Sequence, residues 1–236
     1  MKVFNNPPRN TWEQLCERPQ LQLEFLESSV KNILARVRQG GDYTLKEFTK
    51  QFDKVELHEL AVSQTEIQRA VDRLNGKLKE AIQVAAANIE KFHQAQLREV
   101  VNVETMAGVS CWRKGVPIEK VGIYIPGGTA PLFSTVLMLA IPAKLAGCRE
   151  IVLVSPPDKQ GHIHSAILFA ANLTGVTKIF KAGGAQAVAA LAYGTESIPK
   201  VNKIFGPGNQ YVTKAKQLVN QQGVAIDMPA GPSEVL

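Results

Sequence analysis

The chain has 236 residues, 45% of them hydrophobic, and a net charge of +6 at neutral pH. That apolar share is enough for a sizeable packed core, while no apolar run reaches the roughly 18–20 residues a helix needs to cross a bilayer. The basic residues are scattered, so the charge reads as a solvated surface that attracts anions and gives no argument for nucleic-acid binding.

The start, Met1-Lys-Val-Phe-Asn-Asn-Pro-Pro8, has no apolar signal core. Cys16, Cys111 and Cys148 are odd in number and lack metal-ligand spacing, which fits free thiols in a reducing cytoplasm. Charge and glycine then divide the chain. Residues 1–120 hold 34 charged side chains and 5 glycines, whereas residues 121–236 hold 14 and 13. The change predicts a boundary near residue 120, between a charged, glycine-poor segment and an apolar, glycine-rich one.

The first segment reads as helices. Thr11-Trp-Glu-Gln14 has the form of a capping box. Phe25, Leu26, Val30, Ile33, Leu34 and Val37 recur at helical spacing over 21–38, and Gly40-Gly41 is expected to end that helix. Asp42 is then expected to cap a short helix through residue 52. Ser63-Gln-Thr-Glu66 is a second capping box, opening a helical region to about residue 97 that is interrupted near Asn75-Gly76. Its apolar face, from Ile67 through Leu78 and Ile82 to Phe92, needs a partner surface, and none is evident in the sequence. Over 100–119 the period changes to two, as in a β-hairpin.

The second segment alternates short apolar runs with helix-length stretches. Strands are predicted at 121–125, 150–155, 178–182, 203–205 and 224–227, and helices at 133–146, 162–173, 185–193 and 209–220. Pro142 is expected to kink the first of these helices or shift its start. The alternation implies a parallel sheet with helices on its faces. Right-handed crossovers bring the glycine turns at 126–129, 183–186 and 206–209 to the carboxyl edge, where open sheets of this kind bind ligands. Uncharged hydrogen-bonding side chains sit at those turns: Tyr124, Thr129, Gln186 and Asn209. Asn209 has an equally good structural role as a helix cap; Gln186 is a poor cap and has less structural excuse. Neither a Gly-x-Gly-x-x-Gly fingerprint nor a phosphate loop is present, since Tyr211 stands where Gly206-Pro-Gly208 would need its third glycine. His162 and His164, two apart at a helix start, would splay too far to share a metal. Cys148 has no histidine or oxyanion hole readable beside it. Asp227 borders the final glycine turn and reads as a cap. These residues amount to a nucleotide- or anion-binding domain without a complete catalytic set.

Several long motifs together carry a family resemblance. Val121-Gly-Ile-Tyr-Ile-Pro-Gly-Gly-Thr-Ala130, Gly183-Gly-Ala-Gln-Ala187, Lys203-Ile-Phe-Gly-Pro-Gly-Asn209 and Ile226-Asp-Met-Pro-Ala-Gly-Pro-Ser-Glu-Val235 resemble histidinol dehydrogenase. The likeness extends to Gly40-Gly-Asp42 and Asn88-Ile-Glu-Lys-Phe-His93 and covers essentially the whole chain. It implies an α/β fold: an incomplete Rossmann-like sheet domain over 121–229, preceded by a mainly helical region with a hairpin over 1–120. Residues 230–236 would begin the return to that first domain. It further implies a cytoplasmic, NAD-dependent, zinc-containing enzyme of histidine biosynthesis that oxidises L-histidinol through the aldehyde to L-histidine, working as a homodimer. NAD contacts would fall at Tyr124, Gln186 and Asn209, and a substrate contact at Ser233. The family's chain is considerably longer, and its zinc ligands and acid–base pair have no counterpart here. The expectation is therefore an N-terminal fragment with no catalytic residue and no metal ligand of its own, inactive alone. The alternative is a catalytically incomplete module that binds a nucleotide or a partner.

Overall fold

The computed structural model describes residues 3–16, 23–97, 99–128, 131–176 and 178–228. A 3-10 turn, Arg9–Thr11, runs into the short helix α1 (Trp12–Cys16). The expected box at Thr11 does not form, because its hydroxyl donates back to the Pro8 carbonyl at 2.7 Å. Helix α2 (Leu23–Phe48) consists of two helical stretches meeting at a kink, where Gly41, at φ 49° and ψ −133°, leaves the helical conformation, so the break falls at Gly40-Gly41 as expected. Asp42 does not act as a cap: its carboxylate accepts from the Ser197 backbone N–H and hydroxyl, while its own N–H donates to Glu196 at 2.7 Å. A tertiary clasp thus takes the groups that a local cap would have used. After α2 the chain makes one π-helical turn, Thr49–Asp53, closed by Lys54 in the left-handed conformation.

The second capping box is present, with the Glu66 N–H on the Ser63 hydroxyl at 3.1 Å and Glu66 reaching back to the Ser63 N–H. It opens α3 (Gln64–Arg73), and Asn75 caps α4 (Gly76–Gln94) where the interruption is expected. The hairpin follows as β1 (Val101–Met106) and β2 (Val109–Arg113), antiparallel and exposed on both faces.

The second segment is a five-stranded parallel sheet: β3 (Lys120–Tyr124), β4 (Glu150–Ser155), β5 (Lys178–Lys181), β6 (Lys203–Phe205) and β7 (Ala225–Ile226). The spatial order is β5-β4-β3-β6-β7. The connecting helices are α5 (Phe133–Leu145), α6 (Ser165–Leu173), α7 (Gly184–Tyr193) and α8 (Gln210–Asn220). Strands β4 and β6 match the sequence reading to the residue. Helix α5 continues through Pro142, which falls in its last turn. Helix α6 starts three residues later than expected, because the His164 ring caps it by accepting from the Ala166 N–H at 3.1 Å.

Both faces of the sheet are covered, and the helices of the first segment take part on each side. On one face α2 packs over α7 and α8, through Leu26, Val30, Leu34 and Val37. On the other, α3 lies on α6 and α4 on α5, so Ile67, Ala70 and Ile82 are buried with Val136, Leu137 and Ile141. The apolar face left unpartnered by the sequence reading is therefore covered by helices of this same chain. Phe92, at its far end, stays exposed. The link between α2 and α3 also lies along the sheet, with Val62 N–H on the Ile179 carbonyl and Lys181 N–H on the Leu60 carbonyl. Glu66 pairs with Lys181 at 2.8 Å, which ties α3 to the end of β5.

Ile82 is 1% exposed within the α4–α5 contact. Ile82→Ala is expected to lower unfolding stability by about 2–5 kcal/mol, measured by denaturant melts. A change below about 1 kcal/mol would mean that α4 does not share this core.

Candidate functional site

The order β5-β4-β3-β6-β7 reverses its winding at β3. The chain leaves β3 through α5 on one face and returns to β6 through α7 on the other, which opens a crevice at the carboxyl ends of β3 and β6. The crevice is narrow at its root. Gly206, which follows β6 at φ 128°, lies so close to the Tyr124 backbone carbonyl that a Cβ there would collide with it. Asp227 holds this turn from below by accepting the Gly206 N–H at 2.8 Å. Lys216 of α8 is buried, pairs with Asp227 and donates to the Gly206 carbonyl at 2.9 Å. Asp227 is thus a tertiary brace between β7, α8 and the β6 turn, where the sequence suggested a local cap.

A cleft of about 840 Å³ opens above this root. Tyr124, Gln186 and Asn209, at three different strand ends, all line it. Tyr124 is buried, and its hydroxyl accepts the Gly184 N–H at 3.2 Å. Burial, reinforced by the negative charge of Asp53, holds that phenol above its ordinary pKa, so it is a neutral donor at physiological pH. Gln186 is 2% exposed and folds back over Gly184 in the first turn of α7. Its amide has no hydrogen-bond partner among the described residues. Asn209 is the N-cap of α8, its Oδ1 accepting from the Tyr211 and Val212 N–H groups at 3.0 and 3.1 Å. The cap uses only the carbonyl end of that amide and leaves its NH₂ available to the cleft. Gly183 caps α7 without a side-chain bond, so apart from the Gly184 N–H held by Tyr124 the positive end of that helix meets the cleft wall. Thr129 and Ser233 lie outside the described residues.

The opposite wall comes from the first segment, which the sequence reading did not assign to the site. Ser29, Asn32 and Arg36 of α2 line it, together with Phe52 and Asp53 of the π-helical turn. Phe52 stacks on Phe48 with centroids 5.4 Å apart and is still 48% exposed toward the cleft. Arg36 is paired with Glu47 at 3.1 Å and lies over the Phe48 ring. Asp53 has no such partner among the described residues: its Oδ2 is shielded from solvent and unbonded, and burial pushes its carboxyl up to about 6. The kink at Gly41 and the π turn that bring this wall to the cleft are distortions of a kind that recurs at functional sites, but no sequence signal marks them.

Among the described residues, no three His, Cys, Asp or Glu side chains come close enough together to hold a metal ion. His162 is exposed, and the His164 ring is spent on its cap. Cys148 is half-buried outside the cleft, with its thiol pushed up by burial, a poor setting for a nucleophile.

The family model described as histidinol dehydrogenase matches residues 16–236. The chain belongs to the histidinol dehydrogenase family. The histidinol dehydrogenase of Bacteroides fragilis (strain ATCC 25285) is 64% identical over 235 residues, covering 100% of this chain and 55% of that protein. That of Escherichia coli O6:H1 is 54% identical over 236 residues, covering 99% of this chain and 54% of its own length. The crystal structure of histidinol dehydrogenase from Elizabethkingia anophelis superposes with a TM-score of 0.89 at 54% identity, covering 97% of this chain and 53% of the other. The chain spans about half the length of the family members it matches.

The carboxyl of Asp53 titrates above its ordinary 3.8 in the folded protein. A raised acid favours the protonated folded state, so its contribution to stability is unpenalised below the unfolded pKa and falls as pH rises through about 4 to 6. The melting temperature of Asp53→Asn minus that of the wild type should therefore grow between about pH 4 and pH 6.5 and level off above it. A difference independent of pH would contradict the burial of this carboxyl.

Proposed function

We propose that the cleft binds NAD and that the protein to which this chain belongs oxidises L-histidinol to L-histidine through L-histidinaldehyde. The observation that carries the proposal is the convergence of Tyr124, Gln186 and Asn209 on one cleft at the point where the strand order reverses. That order is the one found in Rossmann-like dinucleotide domains. The fit rests on the residues themselves. The cleft is of ligand size and has an uncapped helix N-terminus suited to a pyrophosphate. A buried amide without a partner, a neutral phenol and an exposed aromatic ring suit ribose, amide and base. NAD, when bound, supplies the hydride acceptor. The roles of this chain are to orient it: Gln186 by an amide contact, Asn209 by its NH₂, and Tyr124 by donating its hydroxyl proton.

Zinc finds no ligand set among the described residues, so a resident zinc would need ligands from elsewhere. We therefore read the 236-residue chain as inactive by itself, which makes a binding module the second reading. A homodimer accounts for the hairpin β1–β2, whose Val101, Val103, Met106 and Trp112 are exposed with no covering element among the described residues. The three free thiols are compatible with the cytoplasm.

Calorimetry with NAD tests the site. Gln186→Ala should weaken binding about tenfold or more, the worth of a buried hydrogen bond to a ligand. Asn209→Ser retains the cap and should keep its melting temperature while also weakening NAD. Wild-type affinity in both variants would remove the cleft from cofactor binding, and zinc-dependent NADH formation from L-histidinol by the 236-residue chain would overturn its inactivity.

A further inference from the structure

Two polar groups facing this cleft each lack half of their hydrogen bonding. Tyr124 Oη accepts the Gly184 N–H, and among the described residues its own proton goes to no acceptor. Asp53 Oδ2 is hidden from solvent and accepts from no donor. The two are close enough for the Asp53 charge to act on the phenol. No Lys, Arg or His among the described residues forms an ion pair with Asp53: Arg36 pairs with Glu47 and Lys50 with Glu56, while the adjacent Lys54 is exposed and makes no ion pair among the described residues. A phenol in need of an acceptor beside a carboxylate in need of a donor is matched by a group that does both, and a sugar hydroxyl is such a group.

In many dinucleotide folds an acid at the end of the second strand holds the ribose. Here the second strand in chain order within the sheet, β4, ends in Ser155-Pro-Pro157. The acid that follows, Asp158, is consumed in its own turn, accepting from the Gln160 and His162 N–H groups at 2.9 Å. The position is thus vacant of a free acid on the sheet, and Asp53 supplies one from the facing wall.

Resting on the reading of the cleft as a dinucleotide site, we propose that Asp53 is the residue that selects the unphosphorylated cofactor. Its carboxylate accepts a hydrogen bond from a ribose hydroxyl, that hydroxyl accepts one from Tyr124, and a 2′-phosphate is refused. The refusal is electrostatic: a phosphate adds a charge of about −1.5 to −2 beside a carboxylate that forms no ion pair among the described residues.

The test uses the natural full-length protein, with NAD and NADP affinities measured by calorimetry for the wild type, Asp53→Asn, Asp53→Glu and Gln186→Ala. Asp53→Asn should weaken NAD about tenfold or more and narrow the NADP-to-NAD ratio of dissociation constants by about tenfold or more. It should melt at or above the wild type, since a shielded charge without a partner has been removed. Asp53→Glu keeps the charge and should go on refusing NADP even where NAD weakens. A purely structural role would weaken both cofactors equally and leave the ratio unchanged, which would overturn the proposal. So would wild-type NAD affinity in Asp53→Asn alongside a weakened Gln186→Ala, and in that case the dinucleotide reading survives. So would acceptance of NADP by Asp53→Glu, which decides the matter if Asp53→Asn does not fold. A wild-type protein that binds neither cofactor would defeat the dinucleotide reading itself and the selection with it.

Discussion

The close approach of the β6 turn to the end of β3 is the constraint on which the site depends. Parallel strands side by side need crossovers, and right-handed crossovers that run in opposite directions along the sheet, from β3 to β4 and from β5 back to β6, must lie on opposite faces. The backbone therefore diverges above β3 and β6, and whatever stands at their ends faces an opening. How deep that opening reaches is set by Gly206, which lets the second turn settle on the Tyr124 carbonyl. The Lys216–Asp227 pair then fixes the turn from the other side, through both the N–H and the carbonyl of Gly206. A buried ion pair adds little stability by itself but is costly to break by removing one partner, which makes it suited to holding a loop in one place. Asn209, three residues on, inherits its position from that brace.

A crevice becomes a cleft only with a second wall. The helices before the sheet supply it, because their apolar stripes are buried against α7 and α8 on one face and α5 and α6 on the other. The Asp42 clasp to Glu196 and Ser197 sits where α2 kinks and joins that helix to the loop after α7. The π turn that follows delivers Phe52 and Asp53 to the cleft. Aromatic stacking surface and an unpaired carboxylate thus face neutral donors on the sheet side, and the two walls differ in chemistry as well as in origin.

What could be read from the sequence follows the range of the forces involved. Strands β4 and β6 were legible because short apolar runs bounded by turn residues have few alternatives. The Ser63 capping box and the Asn75 interruption were legible because caps act within three residues. Tyr124, Gln186 and Asn209 were legible as neighbours because crossover handedness puts strand ends on one edge. The same local rules failed where a distant group intervened. Asp42 looked like a cap and is taken by Ser197. The face of α3 and α4 announced that it needed a cover, but periodicity cannot say which surface provides it. Asp53 was illegible for the same reason: nothing around Gln51-Phe-Asp53 distinguishes a charged residue at a helix end from one turned toward a phenol 71 positions later.

The account stands on one cleft with walls from both parts of the chain. Hydrogen exchange with and without NAD addresses that most directly, because it reads both walls in one experiment. The expected result is slowed exchange at 49–53 and at 183–187 together, with the exposed hairpin 101–113 unchanged. Protection confined to the sheet side, or none at either wall under saturating NAD, would contradict it.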